Sequence, residues 1–389
     1  MTRVSRAAPP PMPHTVTALR LNGSERIDPF DPRGPLTRNL AVEEVAVREP
    51  GPGEVLVEPL FVGVCGSDNS ASLGKSNFSW VERPRTIGHE CSARIVAFGP
   101  GAEGYGGLKI GDVVTPVPQR GCGDPRCRGC RRGRWNYCPR KRILGFHQDG
   151  ALAGRMVLEI DRCVPLRNEL SPLEGAVVEP LSVVAQGVLR KCTIRPGMDV
   201  VVTGCGIMGL MAAELARAAG ARVAITGIER DRDVRLKLAA ERGCTPIVVS
   251  AEEPLHARLA KGVEALDGTR FGSDFDNGLV DLVIECSGAP ATLGSAGLSV
   301  QPEGTICVIA TYPASVTFEA TAFTRAGQEM VGVMGSSRED FENAQQLIAR
   351  GVFDVKPFAE LYPFARVLEA MDDSMAARTT KAVLQVNPS

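Results

Sequence analysis

The chain has almost no net charge: 44 Lys and Arg face 45 Asp and Glu, which leaves −1 at neutral pH. A near-neutral chain has no global pull toward nucleic acid or anionic lipid. No apolar run approaches the roughly 20 residues needed to span a bilayer. There is no internal repeat, which argues against a solenoid. There is also no low-complexity segment beyond residues 1–14, which are rich in Pro, Ala and Arg and lack the apolar stretch of a secretory signal. They read as a flexible tail. No nucleic-acid or membrane partner is therefore expected.

Hydrophobic content of 44% and charged content of 23% fit a soluble globular protein. A length of 389 residues exceeds one ordinary core, so two domains are expected. From residue 15 to about 181, short alternating or apolar runs are broken by Gly and Pro, which predicts a mostly β domain. Near residue 182 the texture changes to alternating strands and helices, the pattern of a doubly wound parallel sheet. The expected division is 15–181 with 327–389 for the β domain, and 182–326 for the α/β domain.

Twelve cysteines are present, and Cys122, Cys127, Cys130 and Cys138 are packed into one short segment. Four thiolates from one loop can close a tetrahedral zinc site with no open position, which makes it structural. Disulfides or free thiols are the plainer alternative, but clustered cysteines in a large enzyme-like chain more often bind metal, and that points to a reducing, cytoplasmic setting. Arg126, Arg128, Arg131, Arg132, Arg134, Arg140, Lys141 and Arg142 surround the cluster, as in a nucleic-acid-binding zinc ribbon. The near-neutral chain and the motifs on either side argue against that reading.

Gly204-Cys205-Gly206-Ile207-Met208-Gly209 follows the β-branched run Asp199–Thr203 and opens an Ala-rich helix stopped by Gly220. In that context it reads as a dinucleotide fingerprint. Gly204 serves the turn, Gly206 the approach of the pyrophosphate, Gly209 the packing of helix on strand, and Ile207 and Met208 open the helix toward the phosphates. An acid should follow about 20 residues on, but the second strand ends at Gly227. Glu229 suits a free 2′-hydroxyl, and Arg230 or Arg232 a 2′-phosphate. NAD and NADP both stay open.

A second ligand set is dispersed: Cys65 in Val64-Cys65-Gly66-Ser67-Asp68, His89 and Glu90 in Gly88-His89-Glu90, and Glu179 between Val177-Val178 and Pro180-Leu181. A carboxylate in such an apolar run needs a partner, and metal is one solution. Cys, His and Glu plus a water leave an open position, as catalytic zinc requires. Asp68 suits a hydrogen-bond acceptor for the His89 ring, and Ser67 a relay for a substrate proton.

These motifs together resemble the zinc-dependent medium-chain dehydrogenase/reductase family, over nearly the whole chain. The matches are Gly63-Val64-Cys65-Gly66-Ser67-Asp68, Gly88-His89-Glu90, Gly111-Asp112-Val113-Val114, the four-cysteine lobe, Glu179-Pro180-Leu181 and the Gly204 fingerprint. The Glu-Pro-Leu form is similar to the polyol, sugar and threonine branch. Three positions depart from the family pattern: the first cysteine gap holds four residues rather than two, Ala93 replaces a glycine, and Gly227 replaces an acid.

The resemblance implies a GroES-like catalytic domain beside a Rossmann domain, one catalytic and one structural Zn2+, NAD or NADP, and a homodimer or homotetramer. It implies that Glu90 lies beside the catalytic metal and exchanges with water, and that Phe146 and His147 reach the substrate pocket. His147 either bonds a second substrate hydroxyl or is a surface turn residue. The implied reaction is oxidation of a secondary hydroxyl of a small polyhydroxylated substrate, a polyol, sugar or cyclitol, to a ketone. A threonine-type amino alcohol is the nearest rival, and a non-catalytic zinc- and dinucleotide-binding protein is the reading from a different class.

Overall fold

The computed structural model describes residues 15–29, 34–273 and 277–389. The tail expected at 1–14 lies outside the described residues.

Six strands form an all-parallel sheet in the spatial order Thr245–Val248, Arg222–Gly227, Asp199–Thr203, Val280–Glu285, Val300–Val308, Glu329–Gly332. In chain order that is 3-2-1-4-5-6, the doubly wound arrangement, with its reversal between the first and fourth strands. Both faces are covered. Val200, Val202, Ile225 and Ile284 face one core with the helix Ile207–Ala218, while Val201, Ala224, Val283 and Ile306 face another. A strand buried on both faces cannot alternate, which is why Asp199–Thr203 reads as a continuous β-branched run. The sixth strand, Glu329–Gly332, starts beyond the boundary expected at residue 326, so the sheet takes in chain assigned by sequence to the other domain. Three of its four residues are exposed, so it carries no apolar run to mark it.

The mostly β domain is built on a seven-stranded sheet, antiparallel but for one pair, and a three-stranded one. Its centre is Glu54–Gly63, flanked by Glu90–Phe98 on one side and by Lys381–Gln385 on the other. The chain therefore leaves this domain, builds the parallel sheet, and returns to complete the first sheet. Register places Gly63 opposite both Glu90 and Val383. Among the described residues no helix is long and apolar enough to cross a membrane.

Candidate active site and dinucleotide crevice

Cys65 caps the helix Gly66–Ser72, and its thiol accepts from the Ser67 amide at 3.5 Å. Asp68, fully buried, closes the capping box: Oδ2 accepts from the Cys65 amide at 3.1 Å. Its Oδ1 accepts from the Gly88 amide at 3.3 Å and lies 3.5 Å from His89 Nδ1. One carboxylate thus shapes the Cys65 turn and orients the His89 ring, leaving Nε2 to face Ser67 Oγ at 3.5 Å. Ser67 Oγ in turn lies 3.0 Å from Cys65 Sγ.

Cys65, His89 and Glu90 bring one ligand atom each within 4.8 Å of one another. Glu179 is not in that tight set. It reaches the same region from the helix Val178–Ala185, with 7% exposure. Burial pushes it up to about 7, offset by His89 and reinforced by Glu90. Burial and the Glu90 charge likewise raise the Cys65 thiol. Burial pulls the His89 ring down, but Asp68 and Cys65 outweigh it and hold the imidazole well above its usual value. The pocket therefore gathers more anionic groups than cations to match them. A divalent cation on Cys65 and His89, with a carboxylate, would meet that imbalance, and S, N and O donors suit zinc.

One buried cation is present that the sequence reading missed. Lys381, 2% exposed, donates to Glu90 Oε2 and to the Val64 carbonyl at 2.9 Å. Gly63 makes room for the pair, since a Cβ there would stand 2.5 Å from Glu90 Oε2 and 2.8 Å from Lys381 Cε. The available signal was a lysine in the apolar run ending at Val386, the same argument that singles out Glu179. Lys381→Met should cost about 3–5 kcal/mol of stability by leaving the Glu90 carboxylate buried and unpaired, and Lys381→Met/Glu90→Gln should recover much of it. Denaturant midpoints check this, and an unshifted single variant would show the pair to be dispensable.

Phe146 packs on the His89 ring with centroids 5.2 Å apart, and Phe78 and Trp80 pack on Phe146 in turn. His147 is exposed, packs at a tilt against Trp80 with centroids 4.7 Å apart, and its Nδ1 accepts from the Ile143 amide at 3.2 Å. Of that pair the structure brings Phe146, not His147, against His89 of the candidate metal-ligand cluster. The turn that places one ring inward carries the next residue out.

Cys122, Cys127, Cys130 and Cys138 bring their sulfurs within 4.8 Å of one another. The Asp124 backbone amide lowers the Cys122 thiol to about 7, and the Cys130 amide lowers Cys127, whereas desolvation pushes Cys130 up to about 12. Amides aimed at sulfur favour thiolate, as a metal centre needs. The lobe is fastened to the chain just past the sixth strand. Asn136 donates to the Met334 carbonyl at 2.8 Å, and Lys191 donates both to the Tyr137 hydroxyl at 2.7 Å and to the Gly332 carbonyl.

At the reversal of the parallel sheet, Gly204 has φ of +89°, and a Cβ there would stand 2.7 Å from Ser287 Cα. A Cβ on Gly209 would come within 1.8 Å of the Gly204 carbonyl oxygen, so only glycine lets the helix approach this closely. Gly206 faces open space, with Ile207 and Met208 beginning the helix whose amide end a phosphate would meet. At the end of the second strand, a Cβ on Gly227 would come within 2.7 Å of Cys205 Sγ, so a side chain there would have to displace the Cys205 thiol. Glu229 and Arg230 are exposed in the following turn, with Glu229 bonded to Arg232 at 2.6 and 2.8 Å.

Comparison with known proteins identifies the family. The profile of the alcohol dehydrogenase GroES-like domain matches residues 51–168, and that of the zinc-binding dehydrogenase matches 208–350. A sorbitol dehydrogenase of Halalkalibacterium halodurans is 35% identical over 65% of this chain and 68% of its own. An L-galactonate-5-dehydrogenase of Escherichia coli is 28% identical over 83% of this chain and 88% of its own. Among solved structures, a zinc-binding dehydrogenase of Sinorhizobium meliloti bound to NADP superposes with a TM-score of 0.78 at 25% identity, covering 95% of this chain and 99% of that one. The chain belongs to the zinc-dependent medium-chain dehydrogenase/reductase family and is an NAD(P)-linked, zinc-dependent oxidoreductase acting on CH–OH donors.

Proposed function

We propose that this enzyme reversibly oxidises a secondary hydroxyl of a polyol, sugar or cyclitol to a ketone. The observation that carries the proposal is the carboxylate-rich donor set, with Glu90 and Glu179 both buried around Cys65 and His89. The sorbitol and galactonate relatives support it. When bound, zinc supplies a Lewis acid for the substrate oxygen and the nicotinamide supplies a hydride acceptor. The chain's own residues do the rest. Cys65, His89 and a carboxylate would hold the metal, with Asp68 beside Nδ1 orienting the His89 ring. Ser67 Oγ, beside Cys65 Sγ, would accept the substrate hydroxyl proton as it releases its own toward the cofactor ribose and solvent. Phe146, against His89, keeps one wall of the pocket dry.

Oxygen ligands are harder than a thiolate and leave the metal more Lewis acidic. A neighbouring carboxylate also offers a second substrate hydroxyl a partner, which a mono-alcohol cannot use. Polyols, sugars or cyclitols should therefore exceed 2-propanol in kcat/KM by on the order of a hundredfold. Reduced-cofactor absorbance across a substrate panel measures this, and equal efficiency on 2-propanol and on every polyhydroxylated candidate would return the enzyme to a generic secondary-alcohol dehydrogenase.

We further propose a homo-oligomer in a reducing, cytoplasmic setting. Its twelve free cysteines support the setting. The sixth strand supports the assembly: it is a sheet edge, with Met330 38% and the nearby Phe318 45% exposed. An exposed apolar edge invites pairing with a second copy. Sedimentation should show a dimer or larger species, and Met330→Asp should shift it toward monomer. A monomeric wild type would remove this part of the proposal.

A further inference from the structure

Glu285 ends the fourth strand of the parallel sheet, and it is fully buried. Its Oε1 accepts from the Ser287 amide at 2.8 Å and from Thr203 Oγ1 at 3.4 Å. The Ser287 and Tyr312 hydroxyls also donate to the carboxylate. An acid buried in a sheet is costly unless its oxygens are satisfied, and four donors from three segments do so here. None of them belongs to the metal-ligand clusters.

The position gives the arrangement its meaning. Thr203 ends the first strand and Glu285 the fourth, on the two sides of the sheet reversal. Ser287 backs the first fingerprint glycine, whose Cβ, if present, would meet Ser287 Cα at 2.7 Å. Tyr312 comes from the loop after the fifth strand, and the Thr311 carbonyl in that loop closes to 3.0 Å on the Cβ position of Gly288. Glu285 therefore ties together the fingerprint turn, the turn after strand four and the loop after strand five. In a doubly wound sheet, strands one to three and four to six form two mononucleotide halves. With the fingerprint taking the pyrophosphate, the tied loops border the second half, which is left for the nicotinamide mononucleotide.

We propose that Glu285 and Tyr312 are positioning residues for the nicotinamide half of the dinucleotide. They hold the loop after strand five against the turn after strand four, so that the walls receiving the nicotinamide are set before it arrives. This rests on the reading of the crevice as an NAD(P) site. The pair takes no proton or hydride, and its effect passes through the backbone of residues 286–289 and 309–312.

The test separates the two halves of the cofactor. Zinc-loaded wild type, Tyr312→Phe and Glu285→Gln are titrated by calorimetry with NAD against ADP-ribose, and with NADP against 2′-phospho-ADP-ribose. Tyr312→Phe should weaken the whole dinucleotide by about tenfold, the size of one well-placed hydrogen bond. The fragment lacking nicotinamide should stay within about twofold, even though the thermal midpoint falls by a few degrees as the buried Glu285 carboxylate loses its Tyr312 donor. Glu285→Gln should show the same selectivity more strongly. If Tyr312→Phe weakens both ligands equally, or neither, the proposal is overturned, even if Glu285→Gln fails to fold. A wild type that binds neither dinucleotide nor fragment would instead overturn the reading of the crevice.

Discussion

Cys65→Ser and His89→Ala should each lower kcat/KM by about a thousandfold or more, while NAD(P) affinity stays within about twofold. The size follows from the role: a Lewis acid at the substrate oxygen supplies several kcal/mol, and each 1.4 kcal/mol is a factor of ten in rate. The separation follows from the architecture. Cys65 and His89 stand on the β domain, on a helix cap and immediately before the strand Glu90–Phe98, whereas the fingerprint belongs to the parallel sheet. Steady-state rates, cofactor titration and metal analysis on the same preparations give the answer. Near-normal turnover in a variant that has lost the metal would sink the assignment of these ligands.

The second large effect belongs to the four-cysteine lobe. Wild-type protein should carry about two zinc ions per chain, by ligand count, and Cys127→Ser about one. Zinc in such a closed site contributes on the order of 10 kcal/mol to the folding of the segment it organises. Cys127→Ser should therefore lower the thermal midpoint by about 10 °C or more. The lobe's bond to Met334, and the Lys191 bridge from Tyr137 to Gly332, predict where loosening appears next, as faster amide exchange just after the sixth strand. An unchanged midpoint would show that the lobe is not structural.

What the sequence made legible and what it hid divide by sequence separation. The four cysteines lie within 17 residues and the fingerprint within six, so each motif carries its own geometry. The Cys65 turn is equally local, because Asp68 closes it from three residues away. Lys381 was hidden because its partner Glu90 lies 291 residues earlier, and only the pairing of distant strands brings them together. The sixth strand was hidden for another reason. It is short and mostly exposed, so burial left no mark on it. Periodicity could not choose between Phe146 and His147, since adjacent residues on one turn face opposite ways and packing on His89 decides. Glu179 was singled out correctly as a buried acid, yet its apolar neighbours could not say whether it or Glu90 stands in the tightest cluster.

The return of the chain to its first sheet sets an order of events during synthesis. Cys65, His89 and Glu90 leave the ribosome early, but the strand carrying Lys381 follows only after the whole parallel sheet has been made. Until then the Phe61–Gly63 end of the strand Glu54–Gly63 lacks a partner on one side, and the Glu90 carboxylate has no ammonium beside it. Domains generally fold as units in the order they are made, but here the earlier domain must wait for the later one. A nascent chain stalled before residue 381 would present an unneutralised Glu90 and an unpaired strand end, a state prone to aggregation.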